Sequence, residues 1–403
     1  MRRRWFVGCV LAALAVAFVL APNANAAQRR SGYVVVLKGS AGGADAQARR
    51  AAGLYGARVG HVYRHALSGY SATLTPDGVA ALRADPGVAA VVPDQTLRIQ
   101  AQSLPTGIDR IDGELSSTAS GNGSGAVNAD VAVIDTGVGP NPDLDIAGGT
   151  NCVGGSSFAD DNGHGTHVAG TIAAKDDANL VVGVAPGARI WAVKVLNASG
   201  SGSISQIICG IDWVTARAST IEVANMSLGG QSFFGAFSGC SSSFDPMHPA
   251  ICRSVAAGVT YAVAAGNSAA DANSFVPATY AEVITVSALA DFNGKPGGGA
   301  AATCRADQDD TFADFSNFGA DVDLIAPGVC ITSTARGGGL ATFSGTSMAS
   351  PHVAGAAALY KSTHPTATPA QVRSALRAAG TLNWNNADDR DATKEPLLNV
   401  DAL

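Results

Sequence analysis

Apolar residues fall along this chain in two alternating rhythms. From residue 130 onward, near-continuous apolar runs at 131–134, 189–196, 223–226, 260–264 and 283–289 are separated by stretches of helical composition at 164–174, 203–217, 249–257 and 347–362. A strand that is apolar at every position, rather than at every second one, must be covered on both faces. The pattern therefore predicts an α/β domain over 102–403, with a doubly wound, mostly parallel sheet and helices on both faces. A last helix is signalled by Thr368 as N-cap, Pro369 at the first helical position, Gln371 completing a capping box, and Gly380 beyond the end.

Residues 32–99 read differently. A buried-strand run at 33–37 precedes an Ala- and Arg-rich helical stretch at 45–55 and two strand-like runs, 57–67 and 69–74. Thr75-Pro76 then starts a helix that Pro86-Gly87 ends before a strand at 88–92. The predicted order, βαββαβ, describes a small α+β, ferredoxin-like unit, marginally stable at this size. Residues 100–128, with a Ser- and Gly-rich stretch at 116–125, read as a linker.

The first 26 residues belong to neither unit. Arg2, Arg3 and Arg4, an apolar run over 5–20, and Ala24-Asn25-Ala26 form a secretory signal peptide. The run is short for a membrane span, and no later stretch is longer, so the product is expected to be secreted, extracellular and free of the membrane once the signal is removed. Arg3-Arg4-Trp5-Phe6 also loosely resembles a twin-arginine signal, which leaves the export route open.

Composition narrows the field. The 403 residues are 47% apolar and 14% charged, which excludes a disordered polyampholyte, and the net charge of -6 gives no support to a nucleic-acid partner. Charge is divided unevenly: residues 1–101 hold 12 Lys and Arg against 4 acidic residues, whereas 102–403 hold 14 against 28. Two such pieces are suited to docking, although a solvated imbalance would look the same. Beyond Cys9, six cysteines remain: Cys152, Cys209, Cys240, Cys252, Cys304 and Cys330. An even count in an oxidising destination suggests three disulfides, and there is no CxxC spacing to suggest zinc. Of the 15 pairings that six cysteines allow, the preferred set joins Cys240 to Cys252 and Cys304 to Cys330, each closing a short loop. Cys152 is then left for Cys209.

Three segments carry candidate chemistry. Asp135 follows the apolar run 131–134, where open parallel sheets place ligands, although a carboxylate there also caps turns. His164 and His167 share a helical face without forming HExxH, so a metal pair is conceivable and a core role for His167 is the plainer reading. Glycines flank His164 and permit close approach. Ser347 lies among small residues at the start of a predicted helix, a place that favours developing negative charge but is also an ordinary N-cap position. Its surroundings do not match GxSxG, because residue 349 is Ala.

Together, D-T-G at Asp135, H-G-T-H-V-A-G at His164, A-A-G-N at Asn267 and G-T-S-M-A-S-P-H-V-A-G at Ser347 resemble the subtilases, the subtilisin-like serine proteases, most closely the secreted proteinase K-like branch. The resemblance covers residues 103–403, and 32–99 resembles the inhibitory propeptide that precedes such enzymes, so the expected propeptide is 27–101. It implies a self-processing serine endopeptidase in which Asp135, His164 and Ser347 form the triad and Asn267 assists the oxyanion. It also implies that Ser227, Leu228 and Gly229, together with Ala264, Ala265 and Gly266, bind extended peptides. The small residues at 264–266 leave room for a large apolar P1 side chain. No cofactor is implied for catalysis. A structural calcium ion is implied at Asp323 with the carbonyls of Ala281 and Val283. The partners expected are polypeptide substrates and the chain's own propeptide, with the mature enzyme a monomer. A non-catalytic protein on this fold, or an esterase or ligase sharing the acyl-enzyme, are the rival readings.

Overall fold

A computed structural model describes residues 30–38, 43–65, 67–94, 102–232, 240–241, 245–391 and 393–403. The expected signal peptide at 1–26 lies outside the described residues, as do residues 100 and 101 of the segment, 100–103, in which propeptide cleavage is expected. The chain divides into two compact units, Met1–Ile99 and Gln100–Leu403.

In the first unit β1 (Ser31–Leu37), α1 (Ala44–Tyr55), β2 (Arg58–Tyr63), β3 (Gly69–Leu74), α2 (Pro76–Ala84) and β4 (Val88–Pro93) follow the predicted order. The strands form an antiparallel sheet in the order β2-β3-β1-β4. Val35, Tyr70 and Leu74 from the sheet pack with Ala48, Ala51, Val79 and Leu82 from the helices in one apolar cluster. The Thr75 hydroxyl accepts the Gly78 N–H at 3.2 Å, and Pro76 needs no partner for an N–H it lacks, so α2 starts where the sequence signals it.

The second unit runs α3 (Thr106–Arg110), β5 (Asp130–Asp135), β6 (Asp145–Asn151), α4 (His164–Ala173), β7 (Arg189–Lys194), α5 (Ile204–Thr215), β8 (Val223–Met226), β9 (Gly230–Gln231), α6 (Met247–Ala256), β10 (Thr260–Ala264), β11 (Phe275–Val276), β12 (Ile284–Ala290), β13 (Thr311–Phe312), β14 (Leu324–Pro327), β15 (Ile331–Thr334), β16 (Leu340–Phe343), α7 (Thr346–Thr363) and α8 (Pro369–Ala379). Its main sheet has the order β13-β12-β10-β8-β5-β7-β6, with β14 also beside β12. All of these pairings are parallel except that of β13. Each buried strand feeds both faces. Val131 and Val133 of β5 join α4, α7 and α8 in one core, while Ala132 and Ile134 join α5 and α6 in the other. This two-sided burial is why the strands carry no polar alternation.

The structure corrects one reading. Residues 102–128 are not a linker: Ile108 and Ile111 are buried in the core, and Arg110, 4% exposed, donates to Asp310 Oδ1 through Nε at 3.1 Å. The Ser- and Gly-rich stretch is tied down by Asp176, whose carboxylate accepts the Gly121 and Gly123 N–H groups at 2.9 Å each. Three disulfides form, Cys152–Cys209, Cys240–Cys252 and Cys304–Cys330, the preferred set of pairings. Among the described residues no helix is long and apolar enough to cross a membrane.

Candidate active site

Because β5, β8 and β10 run parallel and adjacent, their carboxyl ends reach the same edge of the sheet. Asp135 is the last residue of β5 and is fully buried. Its Oδ1 accepts the Thr136 N–H at 2.7 Å, and His164 Nδ1 lies 2.8 Å from Oδ1 and 3.0 Å from Oδ2. The carboxylate thus caps the turn and holds the imidazole together. An ionised carboxylate only accepts, so Nδ1 carries the proton and Nε2 is left as the basic nitrogen.

His164 opens α4, and two devices fix it there. Asp160, buried, accepts from the Gly163 N–H at 2.8 Å, the Asn162 N–H at 2.9 Å, Thr136 Oγ1 at 2.9 Å and Thr166 Oγ1 at 2.6 Å. Gly165 allows the helix to press against the end of β5: a Cβ there would lie 2.1 Å from the Gly137 oxygen and 3.2 Å from Asp135 Cβ. Burial opposes protonation of His164, but the Asp135 charge and hydrogen bond, aided by Asp160, outweigh it and raise its pKa above the ordinary histidine value. His167 points the other way. It is fully buried, bonded through Nε2 to the Ile331 carbonyl at 3.0 Å and stacked on Phe343, so the metal-pair reading falls and the core reading stands.

Ser347 is the second residue of α7. Pro351, inside the helix, has no N–H for the carbonyl four residues before it, which is that of Ser347. That carbonyl accepts the Ser227 hydroxyl at 2.7 Å instead, and Ser347 Oγ donates to the Ser227 carbonyl at 3.2 Å. This clasp ties the serine to the end of β8. Behind it Asn225 Nδ2 donates to Ser227 Oγ at 3.0 Å and Ser350 Oγ donates to Asn225 Oδ1 at 2.6 Å, all in the interior. Asn267 lies across the same cleft. Its Oδ1 accepts both the Thr346 N–H at 2.8 Å and the Thr346 hydroxyl at 3.0 Å, which fixes the amide so that the donating Nδ2 is free for the cleft. Among the described residues there is no direct His164–Ser347 hydrogen bond; both side chains line one cavity of about 550 Å³ with Asn267. Such contacts are often loose before substrate closes them.

Two hollows meet at Ser347. The 550 Å³ cavity has an apolar wall of Leu196, Ile204, Ile207, Leu228 and Met247. The other, about 590 Å³, is lined by Ala264, Ala265, Gly266 and Phe275 as well as Asn267. Gly266 has φ 108°, and a Cβ there would come within 2.4 Å of Asn317 Nδ2, so that wall has no room for a larger residue.

The expected calcium ligands fail a test of fit. Asp323 Oδ1 accepts from Arg373 Nε at 2.8 Å and Arg377 Nη1 at 3.1 Å, and the Ala281 carbonyl accepts from Arg373 Nη1 at 2.6 Å. A guanidinium stands among the donors, and neither Asp323 nor Ala281 is free for an ion; with them, the Asp323, Ala281 and Val283 set is withdrawn. Asp143 has the properties that set lacks. It is 2% exposed, neither carboxylate oxygen has a partner, and burial, with Asp177 adding to it, pushes its pKa up to about 6. Its backbone carbonyl accepts the Lys175 N–H at 3.0 Å, and Gln102 Nε2 rests on the carbonyls of Lys175 and Val181 at 2.7 and 3.2 Å.

Comparison with known proteins decides the family. Residues 127–394 match the subtilase family of peptidases, Peptidase S8, and residues 32–100 match the peptidase inhibitor I9 family. The chain belongs to the subtilase family. It is 41% identical over 312 residues to an alkaline protease of Alkalihalobacillus alcalophilus, covering 77% of this chain and 73% of that protein. It is 40% identical over 322 residues to subtilisin E of Bacillus subtilis, covering 78% and 76%. A solved cold-adapted subtilisin-like serine proteinase superposes with a TM-score of 0.59 at 36% identity, over 73% of this chain and 97% of that one. This subtilase is accordingly a serine endopeptidase with an inhibitor-type N-terminal unit. Sequence reading did not single out Asp160, Asn225 or Ser350 as supports of its site. Asp160 was within reach, because Asp-Asp-Asn-Gly is a strong turn signal directly before His164; the other two become visible only once α7 meets β8.

Proposed function

We propose that Ser347 Oγ attacks the peptide carbonyl while His164 Nε2 takes its proton, with Asp135 holding the tautomer and stabilising the imidazolium. Asn267 Nδ2 and the Ser347 N–H donate to the oxyanion, and His164 then protonates the leaving amine before water completes the cycle. The observation that carries this reading is the Asp135–His164 hydrogen bond at 2.8 Å, opening onto a cleft shared with Ser347 and Asn267. Extended peptide backbone adds along 227–229 and 264–266, which reads chain direction more than side-chain identity. The hollow behind Ala264 and Ala265 favours a large apolar P1 residue.

The same proposal includes export through the 1–26 signal and folding as a zymogen whose residues 27–101 act as inhibitor and chaperone until cleavage near 100–103. Opposite charge favours that pairing: residues 27–101 hold 9 Lys and Arg against 4 acidic residues, and 102–403 is acidic. The mature enzyme is a monomer, and its place in the proteinase K-like branch rests on the sequence resemblance alone. Structural calcium is held at Asp143, whose buried carboxylate oxygens have no partner. Intact-mass analysis of the secreted protein with and without Ser347→Ala tests the scheme. The wild type should appear as a mature product starting near 102, and the variant as the uncut precursor without peptidase activity. A variant that is still cut at the same place refutes self-processing, and one that still hydrolyses peptides refutes the assignment of Ser347.

A further inference from the structure

Four side chains that the sequence scatters over 240–282 converge beside α6. His248 and Cys252 are four residues apart on that helix and so share a face. Cys240, before the helix, is joined to Cys252, and Glu282 lies just ahead of β12. One ligand atom from each of the four, two of them sulfur, lies within 4.8 Å of all the others.

The imidazole is already fixed. His248 is 1% exposed and lies flat on Tyr280, with ring centroids 4.1 Å apart and planes 6° apart. The Tyr280 hydroxyl donates in turn to Asp245. His248 Nε2 is 2.8 Å from Glu282 Oε2, and the second oxygen, Oε1, is 3.2 Å from Cys240 Sγ. Glu282 thus stands between nitrogen and sulfur. It is only half-buried and Cys240 is exposed, so the cluster opens to solvent. An ionised carboxylate only accepts, so Nε2 carries the imidazole proton while the disulfide is intact. Nδ1 is buried without a partner among the described residues, which leaves Nε2 as the anchoring nitrogen.

We propose that Cys240, Cys252, His248 and Glu282 form a latent zinc site, which the disulfide fills in the oxidised enzyme and Zn²⁺ fills in the reduced one. A dithiol or a phosphine supplies the two electrons that break the Cys240–Cys252 bond. Each sulfur gains a proton, and the reductant leaves as a cyclic disulfide or, with oxygen from water, a phosphine oxide. Zinc then takes both sulfurs as thiolates, His248 Nε2 and one Glu282 oxygen. The two thiol protons go to solvent, and the imidazole proton moves from Nε2 to Nδ1. Tetrahedral zinc, with bonds of about 2.3 Å to sulfur and about 2.0 Å to nitrogen, sets its ligand atoms roughly 3.3 to 3.8 Å apart. Small side-chain rotations bring the cluster to that spacing. Two thiolates and an imidazole select zinc over calcium or magnesium. The ion closes the same loop as the disulfide, and that loop carries Met247 of the cleft's apolar wall. The proposal does not depend on the catalytic assignments.

The test uses the mature enzyme inactivated by a fluorophosphonate, so that autolysis does not intrude. Zn²⁺ and Co²⁺ are the probes, and tris(carboxyethyl)phosphine is the reductant. Before reduction the cluster should take up no cobalt. After it, one ion per chain should bind, with sulfur-to-cobalt charge-transfer absorption and the visible bands of tetrahedral cobalt, all displaced by zinc. The signal should be lost in Cys252→Ser and in His248→Ala, and kept when Cys304→Ser and Cys330→Ser are combined. Alkylation of the reduced wild type with iodoacetamide, followed by peptide mapping, needs no variant to fold. Zinc should shield Cys240 and Cys252 and leave labelling of the other four cysteines unchanged. A reduced wild type that takes up no cobalt, or binds it equally before and after reduction, overturns the proposal. So does a full signal in Cys252→Ser, or zinc that shields a different pair.

Discussion

As the proposed base, His164 works only while neutral, so the environment of one residue sets the acid limit of the whole enzyme. Burial alone would lower its pKa and extend activity to acid, but the Asp135 contact at 2.8 Å wins and raises the pKa above 6.5. The acid limb of kcat/KM is therefore expected above that value, with activity rising as pH climbs through it. Asp135→Asn should remove the charge that raises it, shift the limb downward and cost about 10⁴-fold in kcat through the wrong tautomer. A pH–rate series on both proteins checks this, and a limb that stays in place in the variant contradicts it. At this scale the sequence was highly informative: Asp135, His164, Asn267 and Ser347 each sit in a long motif. The Asp323 site was misread because a matching carboxylate says nothing of Arg373, fifty residues later in the chain, which reaches it first.

The elements matter through how closely they approach one another. Gly165 reads in the sequence only as a residue between two histidines, and the structure gives it a reason: α4 contacts the end of β5 at a distance no side chain permits. Gly165→Ala should push the helix start away from Asp135 and lower kcat on the order of 10²-fold with a smaller change in KM, since near-attack geometry and not substrate affinity is disturbed. Steady-state kinetics with a peptide substrate measures it, and unchanged kcat would mean that His164 is placed by Asp160 alone. Buried strands such as β8 and β10 were legible to the residue because all but one position in each is apolar. β6, an edge strand reading Asp-Ile-Ala-Gly-Gly-Thr-Asn, carries no such run and escaped notice. α3 escaped for a similar reason: its five residues bury only Gly107, Ile108 and Arg110, too few for a helical period to show.

For the whole molecule, the site exists only as a product of folding. β5 supplies the carboxylate, α4 the imidazole, the turn after β10 the amide and α7 the hydroxyl, and the parallel order of the sheet gathers them at one edge. The Pro351 vacancy and the Ser227 clasp then register α7 against β8. Fold class was readable from local pattern, and the four positions proposed for the chemistry come from the same reading. The contacts that make them cooperate were not, because they join residues with no local relation. The most direct measurement of that cooperation is the rate and site of fluorophosphonate labelling, followed by peptide mapping. A single phosphonyl group on Ser347, formed at least about 10³-fold more slowly in His164→Ala, is the predicted result. Label on another residue, or an equal rate without His164, would contradict the account.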